Sequence, residues 1–379
     1  MRTAIQISAV LALLVSTLLL PRCAHAAMDI VYSSSQYWLT GEHSTDKISK
    51  GEVMLRGGDR SHLYLISPIS KRHLQLTYGP YDDDNPTWSP DGKLIAFQRS
   101  RTADNSTSLC VLSPRTDVVV PIVQFTHQGY EYCSIDTQWS PDGRTIAVHR
   151  QVATNSNKEY SALYLITLNP SRTSKLAGAV DCAWSPNSRF LYIGYANNQD
   201  LVFDTRTGKR TSVTLPIWGE VWLDNDRIIG AEPSNDGSSE DFRILGSNGR
   251  RTRSIPISQT LNDDFDGPDA SRKDIHCFLL PRSNALIVAT HHHMSDGDHP
   301  WCSRFDIGIG RWTPLLEGLF CGMSRNGTQF AVARHDWVGP YKREGGARVG
   351  PLEIASPITG KSYPITHALI EVTGGDWRK

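Results

Sequence analysis

The chain has 379 residues, with 39 basic and 39 acidic side chains and a formal net charge of zero. That balance excludes the strong basic excess on which phosphate-backbone binding rests, so no nucleic-acid partner is expected. Its 10 tryptophans, 30 glycines and 21 prolines are the composition of strands and turns, and no long stretch has helical periodicity.

Residues 1–26 begin with Arg2, run without charge from Ile7 to Leu20 and end on Ala24-His25-Ala26. This is the pattern of a cleaved secretory signal peptide. The apolar run is shorter than the roughly 20 residues of a membrane span, and no later run is longer. Residues 27–379 are therefore expected to form one soluble, monomeric domain that does not span a membrane. Pro21 and Arg22 precede Cys23, where lipid attachment needs small residues.

Next come two short apolar strands, at 63–67 and 74–77, and then Trp88-Ser89-Pro90-Asp91-Gly92. The same five residues recur at 139–143 and, weakened to Trp-Ser-Pro-Asn-Ser, at 184–188. In each copy proline presets φ, aspartate or asparagine bonds its own backbone, and glycine accepts positive φ. The apolar strands that follow, at 94–97, 145–148 and 190–193, make each copy a hairpin. Two further strands complete a four-stranded repeat, the unit of a propeller blade. Degenerate anchors at Trp222, Leu279 and Met323 extend the series to six.

The seventh anchor comes from the ends. Residues 352–358 align without a gap on 63–69, Thr366 falls on Thr77, and Trp377 follows Thr366 by 11 residues, as Trp88 follows Thr77. The tail, from about residue 369 to Trp377, is therefore expected to supply the innermost strand of a blade whose other three strands lie in residues 29–77. The expected fold is an all-β, seven-bladed propeller closed by its C-terminal strand, with six blades as the alternative.

The Trp-Ser-Pro-Asp-Gly hairpins, with Leu-Thr closing the outer strand, resemble the repeats of the TolB-type propeller family. That resemblance covers nearly the whole mature chain and implies a periplasmic scaffold for protein contacts. TolB itself carries a separate α/β domain before six blades, whereas here repeat sequence starts near the cleavage site and seven blades are counted.

Three residues before the anchors stand Asn85, Asp136, Asp181 and His276, where the innermost strand enters the ring. Arg99, Arg150 and Arg334 lie eleven residues after their anchors, on the same rim. Arginine binds carboxylates bidentately, so this ring is expected to hold an acidic protein or peptide, or a carboxylated sugar. The competing reading pairs these arginines with local acids such as Asp82 or Glu131, and takes Asp82-Asp83-Asp84 as a charged connector.

Cys110 and Cys133 are the one cysteine pair considered for a disulfide. His291, His292, His293, Asp296, Asp298 and His299 are read as a solvated loop. No cofactor or metal is expected. The sequence has no Gly-x-Ser-x-Gly, His-Glu-x-x-His or phosphate-loop motif, and Ser44-Thr45-Asp46-Lys47 fits Ser-x-x-Lys only by chance. A non-catalytic binding module is the leading expectation. A metal-dependent lyase like the oligogalacturonate lyases, using His276, His299 and His335, is the alternative.

Overall fold

In the computed structural model, the described residues are 29–378 apart from 37, 40–54, 57–59, 102, 104, 127–131, 154–158, 170, 196, 214–216, 232–240, 257–274, 295–296, 335, 339–346 and 367–369. The leader, the motif at 44–47, Glu131 and His335 lie outside them.

Seven four-stranded antiparallel sheets follow one another along the chain. Blade 1 is composite: Ile370–Trp377 is innermost, followed outward by Ile30–Gln36, Ser61–Ile66 and His73–Gln75. Blades 2 to 7 begin on inner strands Asp82–Trp88, Tyr132–Trp139, Ala179–Trp184, Trp218–Trp222, Ile275–Leu279 and Leu319–Met323. Two small ribbons, Trp38–Leu39 with Leu55–Arg56 and Asp336–Val338 with Ala347–Val349, stand outside the blades.

The expected closure is present. Ile30 faces Trp377 and Gln36 faces Ile370 along an antiparallel ladder. Asp376 reinforces it by accepting the Trp88 amide of blade 2 and the Trp377 amide at 2.8 Å each. Arg378 donates its amide to the Asp29 carbonyl at 2.6 Å and its guanidinium to the Asp29 carboxylate at 2.8 Å.

The gapless alignment of blades 1 and 7 has a physical counterpart. The Thr77 hydroxyl accepts the Leu63 amide at 3.0 Å, and the Thr366 hydroxyl accepts the Leu352 amide at 2.8 Å. The hairpins repeat as closely. Ser89, Ser140 and Ser185 each donate to the Asp91, Asp142 or Asn187 side chain and accept the amide five residues on.

The core is divided among the blade interfaces, because a radial sheet buries both faces against its neighbours. Trp88 seals blade 2 against blade 1 with Val31, Leu65 and Phe97, and Trp139 seals blade 3 against blade 2 with Leu109 and Ile146. Trp184, Trp222 and Trp377 do the same further round the ring. Each buried aromatic or aliphatic side chain contributes about 1.5–3 kcal/mol on leaving water.

Two expectations about local structure are corrected. Asp82-Asp83-Asp84 belongs to the inner strand Asp82–Trp88, with Asp83 fully buried. Residues 291–294 and 297–299 are strand and not loop: Ala285–Met294 pairs with Gly297–Asp306, which sets His292 opposite His299 and His293 opposite Asp298. Side chains of this hairpin tip lie outside the described residues.

Candidate functional site at the channel mouth

Inner strands line a central channel, and each begins at one face and ends at its anchor on the other. A backbone irregularity interrupts the inner pairing of blades 1, 2, 4, 5 and 7. Bulges of this kind re-aim side chains, and they are common beside sites. At the blade 2 bulge Asn85 takes φ 51°, a left-handed conformation that asparagine tolerates better than most residues.

Asn85 Nδ2 thereby reaches into blade 3, donating to Asp136 Oδ1 at 3.1 Å and to the Ile135 carbonyl at 3.3 Å. The Asp136 carboxylate is 68% exposed, open to the channel, and its Oδ2 lies 4.0 Å from His149 Nδ1. Although open to the channel, it lies deep within the ring, and the surrounding low-dielectric protein pushes its pKa above the usual carboxylate value. His149 and His276 pull it back down, and Asp181 raises it further. Asp181 and His276, from two other blades, are thus close enough for Asp136 to feel their charge. Asp181 Oδ1 accepts the Cys182 amide at 2.7 Å, and His276 is exposed.

Sequence reasoning missed His149. It is placed by Thr145–Ala153, the strand paired with Tyr132–Trp139, and sits directly opposite Asp136 in the register. A period-two reading of that hairpin would have found it. His149 Nε2 lies 2.7 Å from the Ser161 hydroxyl, which itself donates to the Ala179 carbonyl. Carboxylate, imidazole and hydroxyl stand in the order of a hydrolase triad, but the hydroxyl has the Ala179 carbonyl as a second partner. The direction of the Ser161–His149 hydrogen bond follows the imidazole tautomer, and 4.0 Å is too long for an Asp136–His149 hydrogen bond.

The three arginines do not join this cluster. Arg99 binds Asp83 with both prongs, at 2.6 and 2.8 Å, beneath the Tyr81 ring. Arg150 stacks 5.0 Å from the Phe125 ring centre, and Arg334 donates to the Glu317 carbonyl. Of the acids named from sequence, Asp82 pairs with Arg60 instead, at 2.7 Å.

At the other end of the channel a cavity of about 670 Å³ is lined by Trp88, Trp139, Trp184 and Trp222, with Pro90 and Pro141 from the hairpins. Cys110 and Cys133 are free thiols, as are the other four described cysteines. Burial pushes Cys110 and Cys321 up to about 12, which keeps them as thiols at neutral pH. Among the described residues no three His, Cys, Asp or Glu side chains converge as metal ligands. Of the lyase candidates, the His299 side chain and His335 are outside those residues.

No family model matches the chain. Over 120 residues it is 33% identical to the Tol-Pal system protein TolB of Gluconobacter oxydans (strain 621H). That match covers 30% of this chain and 24% of that protein's length. The crystal structure of TolB from Acinetobacter baumannii is similar with a TM-score of 0.51 and 14% identity, over 92% of this chain and 66% of that one. An acylaminoacyl peptidase in complex with Z-Gly-Gly-Phe-chloromethyl ketone has the same TM-score at 10% identity, over 88% of this chain and 52% of that one. What these structures share with the chain is the propeller fold, and the partial sequence match makes that propeller TolB-like.

Proposed function

We propose that residues 27–379 act in the periplasm as a non-catalytic TolB-like binding module, holding a protein partner at the mouth formed by Asn85, Asp136, Asp181 and His276. The observation that carries this reading is Asp136. Its carboxylate faces the open channel in surroundings that disfavour its charge, and 4.0 Å separates it from the histidine behind it. A lysine or arginine side chain of a partner, entering the mouth, would supply the missing cation and relieve that cost.

This revises the expected partner from acidic to cationic. Among the described residues, two of the three rim arginines are taken up: Arg99 already holds Asp83 and Arg334 donates to the Glu317 carbonyl, while Arg150 lies over the Phe125 ring. The sequence match to a Tol-Pal system protein supports the periplasmic setting.

The test is crosslinking in intact cells, followed by recovery of the crosslinked partner with wild type and with Asp136→Asn/Asp181→Asn. Removing both charges is expected to cut recovery at least tenfold, in line with the loss of a buried interfacial ion pair. Undiminished recovery would place the partner elsewhere on the ring.

A further inference from the structure

The formal charge of zero hides a local basic excess on one face of three adjoining blades. Strands alternate in direction within a blade, so the first and third turns of every blade emerge together, on the face opposite the Asp136 mouth. In blades 6, 7 and 1 these turns, taken with the first strand residue Arg311, are residues 280–284, 307–311, 324–328, 356–361 and 67–72. They contain Lys71, Arg72, Arg282, Arg311, Arg325 and Lys361 and no acidic residue. All six are exposed. The nearest carboxylate at the foot of a turn, Asp306, is held by Arg304 at 2.8 Å and lies 3.4 Å from Arg311.

The tips of the same turns carry Ile69, Ile358 and Ile309, exposed by 88, 72 and 65%. They are the three most exposed large apolar side chains among the described residues. Ile69 and Ile358 occupy the same place in matching Ser-Pro-Ile turns. The turns are neighbours: Lys71 Nζ donates to the Pro364 carbonyl of blade 7 at 2.9 Å, and Ile358 shares a crevice with Arg311 and Trp312 of blade 6. Three isoleucines held out in water contribute nothing to the fold, and such apolar exposure marks a surface that meets something.

We infer that this face seats the propeller on an anionic lipid surface. The isoleucine tips enter the boundary between headgroups and acyl chains, and the six basic side chains lie against the lipid phosphates. Separate tips standing proud of a basic rim suit a deformable bilayer. A protein partner would need a pocket for each, and a nucleic acid would be met by aromatic stacking platforms. The acidic mouth would then face away from the membrane, free for its own partner, so the two sites fail or stand independently.

Flotation of the full mature chain with vesicles tests this. Vesicles of phosphatidylglycerol and phosphatidylethanolamine should carry the protein upward, and vesicles of phosphatidylcholine alone should not. About 0.5 M salt should release it, since electrostatic attraction then decays within a few ångströms. Ile69→Ser/Ile309→Ser/Ile358→Ser should weaken vesicle binding by about tenfold or more. These side chains are exposed, so thermal melting should be unchanged. Arg72→Glu/Lys361→Glu should abolish flotation, and Asp136→Asn should leave it intact. Absence of flotation on anionic vesicles overturns the inference. So does undiminished binding by the triple serine variant, which would show charge alone holding the protein to the vesicle with no insertion of the isoleucine tips.

Discussion

Asp136 links stability to binding through one carboxyl group. Folding raises its pKa, so the charged form is less favourable in the folded chain than in the unfolded one. The penalty is absent below the ordinary carboxylate value, sets in as pH rises past it, and is complete above the raised folded value. Asp136→Asn keeps an oxygen to accept the Asn85 amide and removes the charge. Its melting midpoint should exceed that of wild type at pH 7.5 and match it at about pH 3, where both side chains are neutral. A midpoint below wild type at both values would refute a desolvated Asp136. Stabilisation together with lost partner binding is the usual mark of a functional residue. The residue types at the mouth were legible in the sequence because all four sit three places before an anchor. Their contacts were not. Arg99 reads as a rim cation, but Asp83, directly opposite it in the register, fills its guanidinium fork.

Local chemistry explains which elements the sequence disclosed. A Ser-Pro-Asp-Gly turn closes on its own side chains and backbone, with the Gly92 and Gly143 amides donating to Ser89 and Ser140 and both glycines at positive φ. Such a turn folds the same way wherever it occurs, so the hairpins could be found by inspection. The outer strands of blades 1 and 7 betray themselves by a threonine whose hydroxyl accepts a buried amide 14 residues earlier. Thr366→Val keeps the shape and leaves the Leu352 amide unpaired, so it should cost about 1–3 kcal/mol in urea unfolding. A loss below a few tenths would mean that water replaces the hydroxyl. Bulges in the inner strands escaped notice because only Asn85 and a few glycines mark them. The histidine-rich hairpin escaped because its polar run lacks the apolar alternation by which a strand is recognised.

At the scale of the molecule, the ring is held by a long-range strand that the sequence revealed only through two matching intervals of 11 residues. Deleting residues 368–379 removes the inner strand of blade 1, Trp377 from the interface with blade 7, and the Asp376 link to blade 2. Thermal unfolding of that variant should begin at least about 5 °C lower and lose its single sharp transition, since several kcal/mol of contacts disappear at one seam. An unchanged melt would show the tail to be dispensable. The seam also imposes an order on biogenesis. Ile30–Gln36 leaves the ribosome early, yet its inner edge meets no partner until Ile370–Trp377 has been made. Until then an unpaired strand edge is open to mispairing with other chains. Joining the ends therefore acts as a check on length: even a chain cut just before Ile370, with blades 2 to 7 whole, keeps one raw edge, which a quality-control protease or a chaperone can read.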